Sequence, residues 1–106
     1  NLVRNAKEAL IGHGEFHRRI VISATLATRP GHVEIAVSDN GPGVSAELRA
    51  LLFKPLQSSK PEGLGLGLSL CSTIVRGHGG DFWLDEATTK GAKFVFTLPI
   101  FPNQEI

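Results

Sequence analysis

The chain has 106 residues, of which 42% are apolar and 20% are charged, and its formal net charge is +1. This length predicts one domain over residues 1–106, and the near-neutral charge argues against nucleic acid or an anionic membrane as a partner of this domain. The lone Cys71 cannot form an internal disulfide, and no apolar run reaches about 18 residues, the length of a membrane span. We therefore expect a cytoplasmic location for this domain.

The chain begins at Asn1, without a methionine, inside a helix that we predict over residues 1–11. We therefore expect a piece of a longer protein, and the sequence leaves open whether that protein is anchored in a membrane. Asn1, Asn5 and Glu8 share one stripe of this helix, at a spacing that suits a hard cation or a polar ligand. The alternative is an ordinary solvated helix face.

Two stretches of alternating apolar residues, 18–27 and 32–38, predict an antiparallel hairpin with a Pro-Gly turn. We expect helices to cover the apolar face that these two strands share. The second strand runs into Asp39-Asn40-Gly41-Pro42-Gly43. A carboxylate in this place can accept a hydrogen bond from an exocyclic amine at the bottom of a pocket. The alternative is an Asx turn that closes the strand.

An irregular segment over residues 53–62 follows a short helix that we predict over residues 45–52. Its two prolines disfavour regular structure, and loops of this length are often lids or binding loops. Lys54 and Lys60 stand near the glycine stretch that follows and can reach a phosphate. The alternative is that these lysines only solvate the loop.

Three glycines alternate with leucines in Gly63-Leu64-Gly65-Leu66-Gly67 and lead into a helix that we predict over residues 66–76. Backbone N–H groups at the start of a helix attract an anion, and a phosphate chain is the natural guest. A flexible turn before a core helix is the alternative. With strands predicted over residues 81–85 and 92–99, the order predicts an α+β two-layer sandwich. Its helices would cover one face of a mixed, mostly antiparallel sheet.

Four motifs in this order resemble the catalytic and ATP-binding domain of sensor histidine kinases. Asn1 to Ala6 resembles the asparagine box, Asp39 to Gly43 the first glycine box, Phe53 to Leu56 the phenylalanine motif, and Gly63 to Ser69 the second glycine box. The resemblance covers nearly the whole chain and looks most like the nitrogen-regulation and oxygen-sensing branch. It implies the Bergerat ATP-binding fold, truncated here at its N-terminal end.

The resemblance also implies roles for single residues. Asn5 would coordinate the Mg²⁺ that bridges the ATP phosphates, Asn1 would lie beside the γ-phosphate, and both would be catalytic. Asp39 would accept the adenine amine in a pocket shaped by Gly41 and Gly43. The phosphates would be contacted by residues of the lid and the glycine stretch, which are Lys60, Gly63, Gly65, Leu66 and Gly67.

The implied activity is ATP-dependent transfer of the γ-phosphoryl group to a histidine on a separate dimerisation domain of the same protein. The parent would be a homodimer, with a response regulator downstream in two-component signal transduction. Asn1 stands where related ATPases place a glutamate base, which favours transfer over hydrolysis. None of the four histidines stands in the acceptor context, so we expect no autophosphorylation by this domain alone.

Glu8 and Ala9 depart from the family pattern, because many members have a phosphate-reaching lysine and an adenine-packing aromatic residue there. These departures indicate a modest nucleotide affinity. Two alternatives stay open on the same fold. One is a protein kinase of the anti-sigma-factor type, and the other is a non-catalytic module that binds a nucleotide or a protein partner.

Overall fold

The computed structural model describes residues 1–11, 17–46, 49, 64–85 and 90–101. Its helices and strands follow one another as α1 (Leu2–Leu10), β1 (Ile20–Leu26), β2 (His32–Asp39), α2 (Leu64–Gly77), β3 (Phe82–Leu84) and β4 (Ala92–Pro99). The helix predicted over residues 45–52 lies mostly outside the described residues, and the lid predicted over residues 53–62 lies entirely outside them.

The four strands form one sheet in the order β1-β2-β4-β3, and each neighbouring pair is antiparallel. The predicted hairpin is confirmed, with Ala24 opposite Ile35 in its register. The predicted mostly antiparallel character of the sheet is confirmed, and within the described strands every neighbouring pair is antiparallel. The reason is connectivity: α2 carries the chain to the far edge of the sheet, where β3 and β4 form a second hairpin.

Both helices pack on the same face of the sheet, which confirms the predicted two-layer sandwich. Ala6 and Leu10 of α1 are buried, and α1 contacts β2. Leu68 of α2 is fully buried at 0% exposure. The core beneath α2 joins buried side chains of this helix, β3 and β4, namely Leu68, Cys71, Val75, Phe82, Leu84, Ala92 and Phe94.

The apolar face of β1 is largely exposed, which contradicts the expectation that helices cover both strands of the first hairpin. Ile22 is 62% exposed and Leu26 is 80% exposed. The physical reason is that β1 is an edge strand, while α1 packs mainly on its neighbour β2. Within the described residues, no helix is long and apolar enough to cross a membrane.

Helix α2 begins at Leu64, so much of the glycine stretch forms the first turn of the helix rather than a loop before it. At the other end, the backbone N–H of His78 bonds to the Ile74 carbonyl at 3.2 Å, and Gly79 adopts a φ of 88°. A left-handed residue just after a helix is a common C-terminal cap. His78 is therefore a turn residue at the end of α2.

Candidate functional site

Asp39 ends β2, a central strand of the sheet, and its side chain is buried at 9% exposure. Its Oδ1 accepts a hydrogen bond from the backbone N–H of Gly41 at 2.8 Å, which is the Asx turn that the sequence left open as the alternative. Within the described residues, no donor bonds to its second oxygen, Oδ2. One oxygen of the carboxylate thus holds the turn, and the other remains available to a ligand.

A cavity of about 70 Å³ lies beside Asp39. Its walls come from α1, from β2 and β4, and from the turn after β2. The lining residues are Leu2, Asn5, Ala6, Ala9, Val37, Asp39, Gly43, Val44, Ala92 and Phe94. Asp39 is the only charged group among them. A small apolar cavity with one carboxylate can recognise an apolar ring that carries an amine.

Asn5 projects from α1 into the lining of the same cavity, and its Nδ2 is buried with no hydrogen-bond partner among the described residues. Buried polar atoms are nearly always paired, so an orphaned amide in a cavity wall calls for a bound polar group. The amide offers one oxygen acceptor and one nitrogen donor. The structure thus brings Asn5, Asp39 and Gly43 to one cavity, with Gly41 bonded to Asp39.

Asn1 lies one helical turn from Asn5 but in different surroundings. It is exposed, its side chain makes no capping hydrogen bond, and its carbonyl accepts the Asn5 N–H at 2.9 Å. It borders a separate groove of about 490 Å³ rather than the cavity. The structure therefore separates the two asparagines that the sequence placed on one stripe.

This apolar groove lies between α1, α2 and the strands β1, β2 and β4, and its described lining contains no Asp, Glu, Lys or Arg. Ile22, Ile74 and Leu98 are among its apolar walls. It is the larger of the two spaces, but the residues described around it offer no charged group to orient a substrate. Within the part of the chain that is described, no cluster of three His, Cys, Asp or Glu side chains could hold a metal ion.

The glycines predicted to bind ATP fall into three groups, which lie beside Asp39, in the first turn of α2, or outside the described residues. A Cβ on Gly41 would lie 3.0 Å from Oδ1 of Asp39, and Gly43 has a φ of 85°, so both positions favour glycine. Gly65 and Leu66 lie in the first turn of α2, where backbone N–H groups have no partner within the helix, and Gly67 closes that turn. Lys60 and Gly63 lie outside the described residues.

Two residues at the site were missed by the sequence reasoning. The side chain of Asn40 accepts the Arg19 N–H at 2.8 Å and donates to the His17 carbonyl, so it ties the start of β1 to the end of β2. Gly91 has a φ of 76° and packs against the Asp39 carbonyl. A turn glycine was visible at position 91, but its partner across the sheet was not.

Curated sensor proteins are similar to this chain along most of its length. Sensor protein TdiS of Thauera aromatica is 37% identical over 94% of this chain, and sensor histidine kinase ZraS of Escherichia coli O157:H7 is 38% identical over the same share. The chain spans about a fifth of the length of these curated relatives, 18% of TdiS and 20% of ZraS.

Solved structures of histidine kinases are also similar to this chain along nearly its whole length. The nucleotide-free catalytic domain of histidine kinase ThkA superposes with a TM-score of 0.71 at 30% identity, over 97% of this chain and 63% of that one. Full-length ShkA in complex with AMPPNP superposes with a TM-score of 0.69 at 28% identity, over 98% of this chain and 22% of that one. Residues 1–102 match the sequence pattern of one family along nearly the whole chain. The chain therefore belongs to the family of histidine kinase-, DNA gyrase B- and HSP90-like ATPases.

Proposed function

We propose that this chain is the ATP-binding catalytic domain of a sensor histidine kinase and transfers the γ-phosphoryl group of ATP to a histidine on a separate domain. One observation carries the proposal. Asp39 is buried beside an apolar cavity, with one oxygen bonded to Gly41 and the other available, and the unpaired amide of Asn5 lines the same cavity. The relatives named as sensor histidine kinases and the ShkA structure with AMPPNP support it.

Asp39 would select adenine, because its free Oδ2 can accept the exocyclic amine while apolar side chains contact the ring. The cavity of about 70 Å³ is much smaller than the roughly 300–1,000 Å³ of most ligand pockets. It would therefore widen around the base, and the ribose and phosphates would lie outside it. Ala9 lines the wall where many family members place an aromatic residue, so less ring contact is available.

Asn5 fits a role at the phosphates, because a buried amide without a partner is available to them. Its oxygen would hold Mg²⁺, an ion that proteins usually bind through few side chains together with substrate phosphates. When bound, Mg²⁺ neutralises charge on the transferring group. The first-turn N–H groups of Gly65 and Leu66, with Gly67, Gly63 and Lys60, would contact the phosphates.

Asn1 favours transfer rather than hydrolysis, since an amide cannot take a proton from water. It would lie beside the γ-phosphate without acting as a base. The acceptor histidine would belong to a dimerisation domain of a homodimeric parent, and a response regulator would receive the phosphoryl group next. Phosphoryl transfer depends mostly on positioning and charge neutralisation, which are what these side chains offer.

Calorimetric titration of the 106-residue chain with Mg-ATP tests the binding step. We expect saturable binding that Asp39→Asn weakens at least about tenfold, since a hydrogen bond to a charged group contributes about 1.5–3 kcal/mol. The asparagine oxygen can still accept the Gly41 N–H, so the turn should remain folded. Asp81→Asn is the matched control, because the side chain of Asp81 is exposed and pairs with Arg29 on the surface at 3.2 Å, away from the cavity.

The transfer step is tested by mixing the chain with the histidine-bearing domain of its parent and labelled ATP. Label on that histidine is expected. Binding of Mg-ATP without transfer would support the non-catalytic module instead, and a chain that binds no nucleotide would overturn the proposal.

A further inference from the structure

We infer that Gly91 is a positioning residue. It holds the Asp39 carboxylate in the position from which it contacts its ligand, and it thereby sets the preference for adenine over guanine. The inference rests on the proposed function. It concerns a residue to which the resemblance assigned no role in ATP binding. Gly91 lies in the turn before β4, while Asp39 ends β2, so the two meet only because these strands pair.

The contact between them is between backbones and leaves no room for a side chain. A Cβ on Gly91 would lie 1.8 Å from the Asp39 carbonyl oxygen and 3.0 Å from Cα of Asn40. Rotating a side chain cannot relieve such a clash, because both partners are main-chain atoms. A residue other than glycine would therefore displace the end of β2 itself.

Gly91 also touches the turn that follows Asp39. A Cβ on Gly43 would lie 3.2 Å from the Gly91 carbonyl oxygen. Gly43 lines the cavity, and Gly41 bonds to the carboxylate. Displacing the backbone at position 91 thus moves both the carboxylate and the wall of its cavity.

The consequence for recognition follows from the chemistry of the two purines. Adenine presents an amine to Oδ2 of Asp39, whereas guanine presents a carbonyl oxygen at the same ring position, which a carboxylate repels. This discrimination depends on where the carboxylate lies. A misplacement of about 1 Å caused by a distant mutation can slow a catalytic step about 100-fold, and we take this as the upper scale for a displaced carboxylate.

Gly91→Ala tests the inference, with Gly31→Ala as its matched control. Gly31 also has a positive φ, 73°, but a Cβ there meets nothing within 4 Å. The two changes thus share the cost of a left-handed alanine and differ in the clash with Asp39. Affinities for Mg-ATP and Mg-GTP are measured by calorimetry on the wild-type chain and on both variants.

We expect Gly91→Ala to lower the ratio of ATP to GTP affinity by about 10- to 100-fold, while Gly31→Ala leaves the ratio unchanged. A Gly91→Ala chain that is folded by circular dichroism and keeps the wild-type ratio would overturn the inference alone. A wild-type chain that binds neither nucleotide would overturn the proposed function, so the two failures are distinct.

A measurement on the unmodified chain covers the case in which Gly91→Ala does not fold. The amide resonance of Gly91 should shift when adenosine is added and should not shift with inorganic tripolyphosphate. The Gly31 amide should shift with neither. A Gly91 amide that stays unmoved at saturating adenosine would contradict the inference.

Discussion

The spaces on the two sides of α1 differ in volume and in the chemistry of their walls, and volume alone would point to the wrong one as the binding site. On one side lies a groove of about 490 Å³ whose walls are almost entirely apolar, and on the other lies a cavity of about 70 Å³. Of the described residues, the buried carboxylate of Asp39 and the Asn5 amide, whose buried Nδ2 has no described partner, line the smaller space and not the larger one. Chemistry at a site depends on charged and polar groups held without water, and these mark the small cavity rather than the large groove.

The largest expected effect is on the free energy of unfolding, and it distinguishes a core residue from a residue in the wall of the groove. Leu68→Ala should lower the free energy of unfolding by about 2–5 kcal/mol, because the Leu68 side chain is fully buried between α2 and the sheet. Ile22→Ala should change it by less than about 1 kcal/mol, since Ile22 is 62% exposed. Urea unfolding measures both. Equal effects would show that the groove is packed like the core, and the comparison would fail.

The next effect concerns Asn5 and has opposite signs in binding and in stability. Asn5→Ala should weaken Mg-ATP binding by about tenfold or more, because a partner of the phosphates or of Mg²⁺ is lost. The same change should raise the free energy of unfolding of the nucleotide-free chain by about 1 kcal/mol, since it removes an unsatisfied buried amide.

Calorimetry and thermal unfolding measure the two responses, and Ser23→Ala is the control. Ser23 is exposed on β1 and is not among the described residues that line the cavity, so its replacement should leave nucleotide affinity nearly unchanged. A loss of stability in Asn5→Ala would mean that the amide has a structural partner and is not available to a ligand.

The smallest expected effect comes from Glu8, an exposed residue on the polar stripe of α1. Glu8→Lys replaces a negative charge with a positive one near the proposed phosphate site. Exposed charge pairs contribute about 0.2–1 kcal/mol, so Mg-ATP affinity should rise by a few-fold at most. The gain should shrink as salt is added, because exposed charges are screened. A gain that does not depend on salt would point to a change in the site's shape.

The outlines of the fold were predictable from local patterns. The strand predicted over residues 92–99 matches β4, and α1 was placed to within one residue at each end. Period-two and period-3.6 patterns specify such elements directly. The start of α2 was missed by two residues, because glycines have low helix propensity and the burial of Leu68 favours the helix nonetheless.

The sequence could not predict which helices and strands lie next to one another. The alternation in β1 indicated an apolar face correctly, but only the strand order makes β1 an edge and leaves Leu26 80% exposed. Asp39 and Asn5 were identified by residue type and motif, and the structure places both at one cavity. The contact of Gly91 with Asp39 depends on pairing between distant strands, for which a single sequence carries no local signal.

The central claim is that the small cavity, and not the groove, receives the adenine of ATP. A crystal structure of the chain with ADP and Mg²⁺ tests it most directly. We predict the exocyclic amine of adenine within about 2.7–3.2 Å of Oδ2 of Asp39, with the ring between α1 and β4. A base bound instead against Ile22 and Ile74 in the apolar groove would contradict the account.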